Sequence, residues 1–445
     1  MTEKRVWVAF FLLGMLLMLG RWGVTGSVIG GDAVYYFMQM RSLVLDQDLN
    51  FQNEYAHFHE EKSSFTGNPK IPKIPSPNPE TGKLPNKYPV GVALLLLPFY
   101  VLAHALSLLL SLMGISVSTD GYGVAYQLAS GFGNLCYGLC GIKLIHCLGT
   151  RWFPTQVSLY GACVVLLATP LLYYMTMEPI LSHTLSMFAT TALVFFWLRA
   201  RENTQNCDWL ALGALAGICA LIRYQDGLFI LMPILDLLLQ SVQHKRKATR
   251  HGGLYAFGVG SENIPHGGRD DRCYFNSILR CFLFLTLGAI LLFSVQLFIN
   301  KFLCGSFFET GYVSESFPFW RSPKLIGVLF SKECGLITWS PILLFALIGF
   351  FSFSKRVPYL GVPMAISFLT QWFLVSSWDT PGDSFGNRML LNASVFYALG
   401  LMQIFSKART SSTLFPWVPR ITCFFIAVNA ALSTLYCFRV IGHPY

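Results

Sequence analysis

Charge is scarce in this sequence. Asp, Glu, Lys and Arg make up 12% of its 445 residues, while 54% are hydrophobic and the mean hydropathy is +0.52. Apolar stretches near the length a helix needs to cross a bilayer recur through most of the chain. That pattern excludes a large soluble protein with buried helices. It predicts an all-α fold, a polytopic transmembrane helical bundle of about 11–13 spans with juxtamembrane helices in a long first extracytoplasmic loop.

Other absences narrow the field. The first apolar run, Val6 to Leu19, lacks a small-residue cleavage site, so it reads as a retained span and not a removed signal. The twelve cysteines show no metal-ligand spacing. Cys136 and Cys140 stand one helical turn apart inside an apolar run, where burial is a plainer reading than ligation. Cys304 and Cys334 both fall on the outer side and can pair. No internal repeat is evident, which argues against an inverted-repeat transporter.

What charge there is carries topology. The formal net charge of +10 does not point to nucleic acid, because most basic residues occupy short loops between apolar runs. They are Lys4/Arg5, Arg151, Arg199/Arg201, Lys245-Arg246-Lys247/Arg250, Lys355/Arg356 and Lys407/Arg409. Spans near 6–22, 122–148, 156–175, 181–198, 208–223, 226–242, 276–300, 334–352, 357–376, 387–405 and 414–437 place all these loops in the cytoplasm. Residues 1–445 then form a single transmembrane domain, with 23–121 as the first outer loop and 243–275 as a cytoplasmic basic loop. The segment 88–113 is long enough to cross, but a simple span there would invert everything after it. An interfacial or re-entrant helix, or a helical hairpin, is preferred, and Pro89, Gly91 and His104 suit it. Residues 33–47 read as a surface helix lying in the interface plane, and 69–79 as a polyproline-like stretch.

Polar residues at the outer ends of the spans are the candidates for chemistry. Asp32 stands in Gly30-Gly31-Asp32-Ala33-Val34-Tyr35-Tyr36, just past the first span, at the headgroup level. There it can be a general base, a role that contributes about 10²–10⁴-fold in rate. It can equally cap the helix that starts at Ala33. Asp46-Gln47-Asp48 resembles a metal-binding pair, but ordinary turns look the same, and no metal or cofactor is expected. Lys87, in Asn86-Lys87-Tyr88-Pro89, suits a phosphate as a compact point charge, or snorkels to headgroups as an anchor. Glu178-Pro179 with Ser182 and His183 joins two spans on the same face as Asp32, where an ionisable group usually has a role or a partner. Arg223 and Asp226 either pair with each other or line a polar cavity. In Ser377–Arg388, Trp378 offers a face for stacking a sugar and Arg388 a bidentate partner for phosphate. Two carboxylates, a lysine, two arginines and several aromatics on one face suit a pocket for a phosphate-linked sugar beside lipid.

Gly31-Asp32 before an aromatic juxtamembrane helix, then Lys87-Tyr88-Pro89, resembles the GT-C superfamily of membrane glycosyltransferases. The likeness is greatest to the bacterial branch related to protein O-mannosyltransferases and the lipid A aminoarabinose transferase. Glu178-Pro179 and Ser384-Phe385-Gly386-Asn387-Arg388 are similar to further motifs of bacterial members, so the ordered set runs from Asp32 to Arg388. The resemblance implies a polyprenyl-phosphate sugar donor, an extracytoplasmic site, Asp32 as base, Lys87 near the donor phosphate and Glu178 as a second acidic position. Members often carry an acidic residue right after the aspartate. Here that place is Ala33, which weakens any proposal of metal.

The leading expectation is therefore an inverting glycosyltransferase of a bacterial inner membrane, its active site facing outside. Asp32 is catalytic, and Lys87, Tyr88, Glu178, His183, Arg223, Trp378 and Arg388 bind substrate. The acceptor is a lipid, a glycan or a protein. A transporter or flippase of a lipid-linked sugar is the alternative, although transporters place ionisable groups at mid-span more often than at one face. A non-catalytic scaffold docking through the Pro-rich loop is the third.

Overall fold

The computed structural model describes residues 3–60, 74–203, 205–255, 267–312, 316–378, 384–438 and 440. Among the described residues there are seventeen α-helices and no strand. The first part of the chain gives α1 (Glu3–Thr25), α2 (Ala33–Arg41), α3 (Gln52–Glu60) and α4 (Gly91–Leu112). The middle of the chain gives α5 (Val124–Gly149), α6 (Thr155–Leu167), α7 (Leu171–Thr176), α8 (Ser182–Asn203), α9 (Asn206–Ile222), α10 (Leu231–Tyr255) and α11 (Gly267–Cys304). The last part gives α12 (Leu325–Phe330), α13 (Leu336–Trp339), α14 (Ile342–Arg356), α15 (Pro358–Ser377), α16 (Ser394–Arg409) and α17 (Trp417–Cys437).

Eight helical stretches are long and apolar enough to cross a membrane, and two more apolar helices, α6 and α9, are shorter. Large side chains such as Leu16, Leu102, Leu291 and Phe298 are exposed on the outward faces, while Gln127, Asn134, Asp226 and Asn392 are buried. Such a surface suits hydrocarbon and not water, and the chain is an integral membrane protein. Burial also ranks the helices. In the stretch Arg388–Arg409 that contains α16, 89% of the apolar window is buried, against 11% for α1 and for α17. Hence α16 is central, and α1 and α17 lie at the rim. Small residues let backbones meet inside the bundle: a Cβ on Gly213 of α9 would stand 2.0 Å from the Leu285 carbonyl oxygen of α11.

The ends of the helices sort by charge. Helix α8 runs from Ser182 to Arg199 and Arg201, and α16 ends in Lys407 and Arg409. Glu3 lies 3.6 Å from His146, and Arg151 pairs with Glu202 at 2.7 Å. Arg356 donates to the Trp152 carbonyl at 3.2 Å. These contacts gather the basic loops and the Lys4/Arg5 terminus at one end of the bundle. Of the basic loop expected at 243–275, residues 256–266 lie outside the described residues.

Several spans differ in detail from expectation. The segment 156–175 breaks at Ala168-Thr169-Pro170, and 334–352 breaks at Ser340-Pro341, because proline lacks the N–H that would continue the helix. The segment 88–113 contains one continuous helix, α4, and not a hairpin. It packs antiparallel to α5, with Tyr137 Oη donating to Leu95 O at 3.1 Å and His104 Nδ1 lying 2.8 Å from Tyr126 Oη. Helix α2 is no surface helix: Val34, Tyr36, Phe37, Met38 and Met40 are all buried. Its apolar residues surround the whole helix, so it has no face to give to water. Cys304 and Cys334, expected as a possible pair, form no disulfide with each other.

Candidate active site

At the end of the bundle opposite the basic loops lies a cavity of about 750 Å³. Seven of the eight residues expected to form a site line it: Asp32, Lys87, Tyr88, His183, Arg223, Trp378 and Arg388. They come from five separate stretches of chain, each presented by a break in helix. Asp32 follows Gly31, whose φ of +49° favours glycine, and Ala33 N–H closes the turn onto Gly30 O at 3.0 Å. Asp32 occupies the N-cap position of α2, yet its side chain makes no capping bond. Its Oδ2 instead accepts from Arg388 Nη2 at 3.1 Å, with 29% of the Asp32 side chain open to the cavity.

The Lys87 motif is fastened to α2 on one side and roofed by a loop on the other. Asn86 Nδ2 donates to Tyr35 O at 2.9 Å, and Gln39 Nε2 to Tyr88 O at 2.8 Å. Above them Gly311 sits so close that a Cβ there would lie 2.4 Å from Asn86 O and 2.6 Å from Lys87 Cα. Lys87 Nζ is 4.9 Å from the centre of the Tyr88 ring. The Tyr88 hydroxyl acts on the Asp32 carboxyl and helps to hold it down.

Arg223 is extended (φ −152°, ψ 128°) between α9 and the 3₁₀ turn Tyr224–Ile230. It does not pair with Asp226, which turns away to accept from Ser186 Oγ and, at 2.7 Å, from Asn392 Nδ2. Arg223 Nη1 stands 3.3 Å from His183 Nδ1 and Nη2 3.3 Å from Gln225 Oε1. A guanidinium only donates, so that histidine nitrogen carries no proton. Trp378 closes the far wall, its ring 6.2 Å from Tyr312 and 5.8 Å from Phe317.

Electrostatics decide the state of Asp32. Burial pushes its carboxyl upward, but the Arg388 charge and then the Lys87 charge oppose this. With the Tyr88 hydroxyl and the Arg388 hydrogen bond added, the balance falls below the usual carboxylate value. Asp32 is therefore ionised at neutral pH. Counting Lys87, Arg223 and Arg388 against Asp32, the wall has a surplus of positive charge, a setting for a phosphoryl group.

Glu178 is the expected residue that stands apart. Its carboxylate is 3.5 Å from Arg21 Nη1, behind Gly30, and does not line the cavity. The Asp46/Asp48 pair is committed to protein partners. Asp46 takes Arg41 at 2.5 Å and Asn53 at 2.7 Å, and Asp48 takes Ser42 Oγ at 2.8 Å. Among the described residues no group of three His, Cys, Asp or Glu could hold a metal. The reading of the sequence missed Tyr36, Thr310, Tyr312, Ser316 and Phe317, which also line the cavity. Four of these lie in the loop after α11, whose one signal was its density of aromatics. Asp379 and Asp383, in the polar cluster before Arg388, lie outside the described residues.

The model of the dolichyl-phosphate-mannose-protein mannosyltransferase family matches residues 126–260. The oligosaccharyltransferase of Archaeoglobus fulgidus, solved in the apo form, is similar over 97% of this chain and 56% of its own, with 12% identity and a TM-score of 0.51. The chain has the GT-C fold. The same archaeal enzyme, tethered to an acceptor peptide containing the NVT sequon, gives the same score and identity over 97% and 55%. ArnT from Cupriavidus metallidurans, in the apo state, is similar over 98% of this chain and 76% of its own, at 14% identity and a TM-score of 0.46. The chain spans a little over half the length of the archaeal structures it matches. A search of curated protein sequences gives no match.

Proposed function

We propose that the chain is an inverting glycosyltransferase. It moves a sugar from a polyprenyl-phosphate-linked donor to an extracytoplasmic acceptor, which is a lipid, a glycan or a protein. The observation that carries this reading is the ionised Asp32 held by Arg388 in a cationic cavity. The fold and the match to a family of dolichyl-phosphate-mannose users support it.

In the reaction, the acceptor hydroxyl or amine approaches the anomeric carbon from the Asp32 side. Asp32 takes its proton as the new bond to carbon forms. The bond between the anomeric carbon and the phosphate oxygen breaks on the opposite face, and the lipid phosphate leaves with the electron pair. Lys87 and Arg388 stabilise the charge that develops on it. A carboxylate held below its usual value is a weaker base in the empty site. Donor binding changes that, because a phosphate beside Lys87 and Arg388 offsets the two charges that depress Asp32. The base gains strength only when the donor is in place. With the basic loops in the cytoplasm, the cavity opens on the outer face, here assigned to a bacterial inner membrane.

The test is transfer of label from a radiolabelled polyprenyl-phosphate sugar by purified protein. Wild type is expected to label an acceptor. Flux of the sugar into vesicles with no glycosidic product would replace this reading with transport.

A further inference from the structure

Glu178 was expected to touch substrate, yet it stands behind the turn that presents Asp32. Arg21, near the end of α1, reaches it at 3.5 Å, and both side chains are about four-fifths buried, at 17% and 20% exposure. The backbone of Gly30 packs against the pair. A Cβ on Gly30 would lie 2.9 Å from Glu178 Oε2 and 3.1 Å from Arg21 Nη2. The pair therefore buttresses residue 30, two positions before Asp32. On the other side of this turn Ser27 Oγ donates to Gln127 Oε1 of α5 at 2.8 Å. The Glu178 end is also fixed: Leu181 N–H bonds to Glu178 O at 3.2 Å, and Pro179 packs on Gly131 of α5.

We infer that Glu178 and Arg21 form a latch that positions Asp32 through Gly30, so that Glu178 is a positioning residue and not a ligand of the sugar. This deepens the reading of Asp32 as the base and rests on it. The Gly30-Gly31 turn has little intrinsic stiffness, since glycine populates both signs of φ. A base must be held within a few tenths of an ångström, and a misplacement near 1 Å costs about 10²-fold. The ion pair supplies the stiffness that the two glycines lack. Its strength comes from position: a partly buried pair left with one partner leaves an uncompensated charge beside the turn.

The experiment is a double-mutant cycle with Glu178→Gln and Arg21→Met, measuring kcat and the donor KM for sugar transfer. Each single variant is expected to lower kcat by roughly 10- to 100-fold with donor KM within about twofold. The double variant should be no worse than the poorer single, because both break one latch. Gly30→Ala should reproduce the kcat loss by pushing the two side chains apart. Multiplying losses in the double variant, or a rise in donor KM confined to Glu178→Gln, would overturn the latch in favour of a substrate ligand.

A second readout does not need turnover. Asp32→Cys is made in each background, and the rate of thiosulfonate modification at residue 32 is followed by peptide mass. Loss of the latch should raise that rate several-fold relative to Asp32→Cys alone. An unchanged rate in both backgrounds would overturn the inference. If wild type transfers no sugar while the modification rate still responds, the latch stands and the assignment of function falls. Where Glu178→Gln does not accumulate, Arg21→Met and Gly30→Ala carry the same test.

Discussion

Replacing Arg388 by Gln separates the electrostatic and geometric parts of the site. Arg388 Nη2 is 3.1 Å from Asp32 Oδ2, and the two side chains are 18% and 29% exposed. Two unit charges about 4 Å apart interact by about 4 kcal/mol at an effective dielectric of 20, an upper figure for what the pair contributes. Hydrogen bonds to charged groups are worth about 1.5–3 kcal/mol net, and losing one preorganised donor from an active site costs about 10²–10³ in kcat. Arg388→Gln should therefore lower kcat by about 10²–10³-fold. The pH dependence should move as well. Arg388 is the largest influence holding the Asp32 carboxyl down against burial. Without it, burial acts with less opposition, so the acid limb of kcat/KM must shift to higher pH. In wild type the same reasoning sets kcat against kcat/KM. The bound donor offsets Arg388 and Lys87, so the acid limb of kcat, which reports the complex, should lie above that of kcat/KM, which reports the free enzyme. The assay is steady-state sugar transfer across the acid range with wild type and Arg388→Gln. An acid limb that stays in place or moves down in the variant would refute the coupling between Arg388 and Asp32.

Three further outcomes follow from the geometry. Gly311→Ala places a Cβ against Asn86 O and Lys87 Cα, so it should lift the loop after α11 and raise donor KM about tenfold or more with expression unchanged, as donor titration would read. Glu54 has a fully buried side chain beside Arg41 and Asp46. Burial raises its carboxyl from 4.5 to about 7 despite the Arg41 hydrogen bond. A raised carboxyl favours the folded state at low pH, so thermal stability in detergent should fall as pH rises from about 4.5 through 7, by an amount on the order of 3 kcal/mol, and Glu54→Gln should flatten that slope. Asp226→Leu strands Ser186 and Asn392 and should cost about 1–3 kcal/mol of stability in a denaturation series.

The parts of this molecule that could be read in sequence are those governed by one-dimensional rules. Lys and Arg mark one set of loops through a charge bias that needs no packing information, and the structure gathers Arg151, Arg201, Arg356 and the α1 terminus at one end. Once the ends are sorted, Asp32 and Arg388 must share a face although 356 positions separate them. Lys87, His183, Arg223 and Trp378 follow for the same reason, as polar residues where spans stop.

Packing was harder to read. The polar residues that suggest a surface helix over 33–47 fall near or beyond the end of α2, whose own apolar residues surround it and are covered by α4 and the Lys87 motif. The breaks at Pro170 and Pro341 interrupt runs whose hydropathy is continuous. Thr310, Tyr312 and Phe317 carry no charge signature, and only the closeness of Gly311 to Lys87 brings them to the cavity. Glu178 was placed on the right face, but sequence cannot tell a side chain that points into a cavity from one that braces the turn behind it.

The most direct measurement is transfer from a labelled polyprenyl-phosphate sugar by purified wild type and Asp32→Asn side by side, with donor binding measured on both. The base assignment predicts label on the acceptor with wild type alone, and bound donor with both. Normal turnover by Asp32→Asn would contradict it.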